Sequence, residues 1–282
     1  MEAAETETTR TRSSNEGYVA APRTGAGPSL GIVSETSRTF PQVVFQPENG
    51  ACQILLVRHG QSAPFVAGQP FPLRDGHGDP QLTDLGHYQA QLLADRLAAE
   101  PVATIYVSSL ARTHQTAAPL AERLGLEPVV EPELREIYLG EFEGGLFRQM
   151  STDGHPAVVA MRANREWGEI PGAETNTELA ARTVGAVERM AEAHRNQLVV
   201  AFCHGGVIAA IVGHIAGVDA LTFTGARHTS ISHLVVGPSE WKIRSFNDAA
   251  HAGSLTADHS LPTDHPLAAN PTGDGSFPPI TT

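Results

Sequence analysis

Lysine is all but missing from this chain. Lys242 is the single one in 282 residues, so nearly all of the 19 basic side chains are arginine, against 31 acidic ones and a formal net charge of −12. No basic block occurs, and a nucleic-acid binder needs a concentrated basic face, so no nucleic acid is expected as a partner. Cysteine is as scarce: Cys52 and Cys203 cannot build a disulfide framework, and their apolar surroundings point to buried, reduced thiols. No apolar run approaches the length of a membrane span, so no membrane partner is expected either. The opening MEAAETETTR is acidic and polar, unlike the basic-then-apolar design of a secretion signal, which makes a cytoplasmic protein the expectation. Also missing are G-x-x-x-x-G-K-[ST], a G-x-G-x-x-G after a strand, H-E-x-x-H and G-x-S-x-G, each of which would have announced another chemistry.

With 41% hydrophobic residues the chain has enough apolar surface for a sizeable core. That surface is unevenly placed. Residues 1–48 and 254–282 are rich in Thr, Ser, Gly and Pro and poor in large apolar side chains. They bury too little to offset the entropy of ordering and are expected to be mostly disordered, leaving 49–253 as the folded domain. Inside it, strand and helix patterns alternate. CQILLV (52–57), ATIYVSS (103–109), EPVV (127–130) and QLVVAFC (197–203) read as strands. Helices are expected over 82–100, 112–125, from the capping-box pattern TNTE (175–178) to about His194, and over the apolar run after His204. ISHLVV and WKIRSF close the domain as a hairpin through GPSE, and 144–173 shows no clear period and reads as an irregular cover. Strands alternating with helices imply an α/β fold with a mostly parallel central sheet.

In such folds ligands sit beyond the carboxyl ends of the strands. The first strand here ends in Arg58-His59-Gly60, the second in Ser108-Ser109 with Arg112 just beyond, and the fourth in His204-Gly205-Gly206. Two arginines can fork onto phosphate oxygens, and helix N-termini following Gly60 and Gly205 would add backbone N–H groups. A neutral imidazole can attack phosphorus, and a carboxyl group must then protonate the leaving alcohol. Glu133, Glu136, Glu141 and Glu143 follow the third strand, and spacing does not choose among them.

LLVRHGQS, SSLARTHQTA, ELREIYLGEFEGG, PGAETNTELAAR and FCHGG occur in one order along the chain. In that order they resemble the histidine phosphatase superfamily, in its phosphoglycerate-mutase-like branch. The resemblance implies a three-layer α/β/α sandwich, no metal and no organic cofactor. It implies His59 as the phosphorylated nucleophile, with Arg58, Arg112 and His204 around the phosphate; Gly60, Gln61 and Gly205 are expected beside it on their own chemistry. Glu136 takes the place of the proton donor and later of the base that activates water. The chain departs from the branch in two places. Phe65 stands six positions after His59, where many mutases and some phosphatases carry an asparagine, and only about 30 residues separate Gly145 from the next helix. Hydrolysis of a small-molecule phosphate ester through a phosphohistidine is therefore expected, with 2,3-bisphosphoglycerate-dependent phosphoglycerate mutation as the alternative. A homodimer stays open.

Overall fold

Every residue of Cys52–Arg58 (β1) except Gln53 and Arg58 is buried, as a strand covered on both faces requires of its near-continuous apolar sequence. The computed structural model describes residues 40–256. A small hairpin of Leu73–Arg74 (β2) and His77–Gly78 (β3) comes next, then helix Asp84–Leu97 (α1), strand Val102–Val107 (β4), helix Ala111–Leu124 (α2) and the short strand Val129–Val130 (β5). Helices Leu146–Thr152 (α3), Pro156–Asn164 (α4) and Asn176–Ala193 (α5) precede strand Leu198–Cys203 (β6) and helix Gly205–Ala216 (α6). Strands Ile231–Val236 (β7) and Trp241–Asp248 (β8) close the sheet, whose order is β5-β4-β6-β1-β7-β8. The first four strands in that order are mutually parallel; β7 and β8 run antiparallel.

Side-chain alternation along β1 divides the core. Ile54 and Leu56 face α5 and α6 through Val187, Met190, Val207 and Ile211. Leu55 and Val57 face α1 and α2 through Leu93, Leu97, Ala117 and Leu120. Helices thus cover both faces of the sheet, which is the α/β/α sandwich. The helix signals hold locally. Thr83 caps α1 by accepting from the Gly86 N–H, and Thr175 and Glu178 form the reciprocal capping box of α5. Gly125 ends α2 in the left-handed conformation.

The segment 144–173 is a correction. It holds two short helices and a 3₁₀ turn, Trp167–Glu169, and it is not irregular. Ile137, Phe142, Val158, Met161, Trp167 and Ile170 pack there into a third small core. Helices of seven and nine residues are too short to repeat an apolar stripe, so packing and not periodicity makes them. The β2–β3 hairpin has no strand signal in the sequence. Its turn residues Asp75 and Gly76 both have positive φ, 52° and 83°, as a two-residue hairpin turn demands.

Most of the expected tails, residues 1–39 and 257–282, lie outside the described residues. Residues 40–48 carry no helix or strand, and the helical turn Ala250–Thr256 runs past the expected end at 253. Among the described residues no helix is long and apolar enough to cross a membrane.

Candidate active site

Arg58 and His59 leave β1 at its carboxyl end, where His59 N–H still bonds to the Cys203 carbonyl of β6 at 3.1 Å. The loop that follows is pressed onto α1. A Cβ on Gly60 would lie 2.5 Å from the Gly86 carbonyl oxygen, and one on Gly86 would lie 2.1 Å from that of Gln61. Only two glycines permit this approach, and it holds the residues after His59 against a rigid helix. No helix follows Gly60, contrary to expectation, and its N–H is committed to Thr116 Oγ1 at 3.0 Å. The helix after His204 is present as α6.

A cavity of about 620 Å³ opens beyond these strand ends. Of the sequence-predicted residues, Arg58, His59, Gln61, Arg112 and Glu136 line it; His204, Gly60 and Gly205 do not. His204 is fully buried behind the wall, its ring centroid 5.2 Å from that of His59. Its Nε2 lies 2.8 Å from Ser108 Oγ, while its Nδ1 has no hydrogen-bond partner among the described residues. Gly205 opens α6 beside Arg58, whose Nε would be 3.7 Å from a Cβ placed there. Arg58 also donates to the Ala226 carbonyl at 2.5 Å.

His59 Nδ1 sits 2.7 Å from the Gly60 carbonyl oxygen. A carbonyl only accepts, so Nδ1 carries the proton of the neutral ring and Nε2 keeps its lone pair. Burial first, then the Arg112 and Arg58 cations, push the His59 pKa well below its ordinary value. Burial and Arg112 do the same to His204. Both rings are therefore neutral at physiological pH. The unfolded chain protonates near the ordinary 6.5 and so binds more protons than the folded one below that pH. Stability conferred by these two rings is thus complete above about 6.5 and is lost as pH falls toward their folded pKa, by up to about 1.4 kcal/mol per pH unit for each ring. The melting temperature is expected to drop as the pH is lowered through this window, and less steeply for His204→Asn. Equal slopes in wild type and variant would contradict the assignment.

Arg112 is held where a ligand would meet it. It is buried, donates to the Gly78 carbonyl at 3.0 Å and pairs with buried Asp79 at 3.6 Å. Asp79 in turn accepts from the Ala111 N–H at 2.8 Å. Burial pulls the Arg112 pKa down while Glu136 and Asp79 oppose it, and a guanidinium stays charged regardless.

The four glutamates that spacing left equal are unequal in space. Glu136 and Glu143 line the cavity; Glu133 and Glu141 do not. Glu143 is tied down by the N–H groups of Leu139, Gly78 and Gly144, at 2.9, 2.7 and 3.4 Å across its two oxygens. Glu136 accepts from Gly206 and Ile137 N–H groups, both on Oε1, so Oε2 is the oxygen left to a ligand.

Two histidines that none of the sequence motifs contains also stand in the wall. His77, presented by the β2–β3 hairpin, is buried and lines the cavity, and so does His228, 6.2 Å from the His59 ring. The Asp-Gly dipeptide was the available signal for the first; none existed for the second. Phe65 does not line the cavity. It packs edge-on against Phe71 at 5.9 Å, and it is Phe71 and Phe147 that face inward. Cys203 is a buried thiol whose pKa burial pushes far up, which removes it as a nucleophile. Among the described residues no group of three or more His, Cys, Asp and Glu side chains is disposed to hold a metal ion.

An α/β/α sandwich with arginines and a neutral, oriented histidine beyond parallel strand ends is built to receive an oxyanion such as a phosphoryl group. The chain belongs to the histidine phosphatase superfamily (branch 1), whose model matches residues 54–249. It is 31% identical over 203 residues to phosphoglycerate mutase-like protein 4 of Arabidopsis thaliana, covering 71% of this chain and 86% of that one. It is also 31% identical over 212 residues to the metal-independent phosphoserine phosphatase of the same plant, covering 74% and 86%. Among solved structures, mycobacterial glucosyl-3-phosphoglycerate phosphatase superposes with a TM-score of 0.58 at 26% identity, over 70% of this chain and 99% of that one.

Proposed function

We propose that this protein is a phosphomonoesterase that hydrolyses a small phosphorylated metabolite through a phosphohistidine, with residues 49–253 as the catalytic domain. One observation carries the reading: a neutral His59 with its Nδ1 proton fixed by Gly60 shares a cavity wall with Arg58, Arg112 and Glu136. His59 Nε2 attacks phosphorus as the ester P–O bond breaks, and Glu136 gives its proton to the departing alkoxide. Water then attacks the phosphohistidine, Glu136 takes a proton from it, and His59 leaves with its electron pair. Arg58, Arg112 and the Gln61 amide meet the phosphoryl oxygens. The partnerless His204 Nδ1 supports a further donor if Ser108 gives its proton to Nε2. Burial is the first cause that keeps both rings neutral, and a phosphate dianion bound there offsets only the positive field that adds to it.

Phe71, Phe147, Leu139 and Ile137 in the wall suit an alcohol with an apolar body. The relatives named for phosphoserine and glucosyl-3-phosphoglycerate phosphatase activity support hydrolysis. Mutation of phosphoglycerate remains the second reading, because a mutase-like relative matches equally well. It needs a cluster for a second phosphate. Of Arg148, Arg162 and Arg165 only Arg148 lines the cavity, since Arg162 bonds to Ser151 and Arg165 pairs with Asp219 at 2.7 Å. A cytoplasmic setting belongs to the same proposal, supported by the two free, buried thiols.

The test is a phosphate-release screen across sugar, nucleotide, glycerate and amino-acid phosphates in excess EDTA. Turnover that survives the chelator, with label trapped on a histidine, is expected. Isomerisation of phosphoglycerate that requires 2,3-bisphosphoglycerate and outruns phosphate release would replace this reading with the mutase.

A further inference from the structure

Glu136 lies in neither helix nor strand, two residues past the 3₁₀ turn Pro132–Leu134, yet general acid catalysis needs its carboxyl group fixed to within a fraction of an ångström. The Gly206 and Ile137 N–H groups hold one carboxylate oxygen, and the main chain that carries the side chain is held from α5. Arg182 donates from Nη1 to the carbonyls of Glu133 and Arg135 at 2.5 and 2.9 Å, and from Nη2 to the carbonyl of Glu136 itself at 3.1 Å. Its Nε and Nη2 form a two-pronged pair with Glu174 at 2.6 and 2.9 Å. A guanidinium has five N–H donors, and five acceptors meet them here. Glu174 is itself fixed, because its N–H bonds to the Tyr138 carbonyl at 2.9 Å and its carboxylate accepts from the Tyr138 N–H at 3.3 Å. Both side chains are largely buried, 17% and 11% exposed, so water competes weakly for these bonds. Arg182 does not line the catalytic cavity.

We infer that Arg182 is a positioning residue for catalysis: with Glu174 it clamps three carbonyls of the 133–136 segment and so sets where the Glu136 carboxyl group meets the leaving oxygen. The inference rests on Glu136 being the proton donor. Lysine substitutes only in part, since one ammonium offers three donors and no planar fork.

The dependence on leaving group tests it. The phenolate of para-nitrophenyl phosphate departs without a proton, whereas an alkoxide does not, so a misplaced acid slows alkyl esters selectively. The quantity to compare is kcat/KM, which excludes later hydrolysis of the phosphoenzyme. Glu136→Gln is expected to lose about 10²-fold or more on an alkyl phosphate and only about threefold on the aryl ester. Arg182→Ala is expected to follow the same pattern at about 10-fold on the alkyl ester, through kcat and with KM little changed. Arg182→Lys should recover only part of that loss, and it carries the test if the alanine variant does not fold.

An equal loss on both esters would make Arg182 merely structural, and no loss on either would remove it altogether. Full recovery by lysine would show that charge and not the fork is needed, and would also overturn the inference. If Glu136→Gln itself turns over alkyl esters normally, the proton-donor assignment fails, whatever Arg182 does.

Discussion

His59→Ala is expected to lower phosphate release by about 10⁴-fold or more and to abolish label trapping, while the protein stays folded. The size follows from the ring's role. Without Nε2 no covalent intermediate forms, and water must attack the ester directly. The fold tolerates the loss because the ring makes a single hydrogen bond, to the carbonyl of its own neighbour, and stands at the edge of an existing cavity. Phosphate should still bind, since Arg58 and Arg112 remain. A variant that retains substantial turnover would remove His59 from the nucleophile's place, and one that loses phosphate affinity as well would show that the ring had been structural.

Arg112→Met is expected to cost about 10²–10³ in kcat/KM, the range for removing one preorganised donor from a charged transition state. It also strands a partner. Asp79 would stay buried with the Ala111 N–H and Arg74, whose Nε lies 3.3 Å away. Breaking a buried ion pair commonly costs 3–5 kcal/mol; these two surviving partners reduce the expected loss to about 1–3 kcal/mol. A double-mutant cycle with Asp79→Asn separates the effects. Asp79→Asn alone should weaken activity modestly by loosening Arg112, and in the Arg112→Met background it should recover stability by removing the unpaired charge. Additive effects in the cycle would mean that Asp79 does not hold Arg112.

How much of this was written in the linear chain varied residue by residue. Arg58, His59, Arg112 and His204 could be singled out because the apolar strands before them are unmistakable, and strand ends in such a sheet converge by topology. Glu136 could be named only through resemblance. Its neighbours Glu133, Glu141 and Glu143 have the same chemistry, and only the fold shows that backbone N–H groups engage both oxygens of Glu143 but only Oε1 of Glu136. His77 could not be singled out because a two-residue hairpin leaves almost no periodic trace, nor the helices of 144–173 because one or two turns cannot display a stripe. Phe65 stands where many mutases carry an asparagine, yet Phe71 faces the cavity, since sequence spacing says nothing of which of two edge-on rings points inward.

The sequence by itself determined the layered α/β architecture, the parallel core strands and the reactive residues at their ends, because burial patterns and capping are local and repeat along the chain. Only the tertiary structure decided the tautomer of His59, the separation of Glu136 from Glu143 and the clamp of Arg182 on the 133–136 segment. Those depend on which hydrogen bonds the folded backbone makes: His59 turns its Nδ1 to the carbonyl of its neighbour Gly60, while Gly206, Gly78 and Arg182 reach their acceptors from distant parts of the chain.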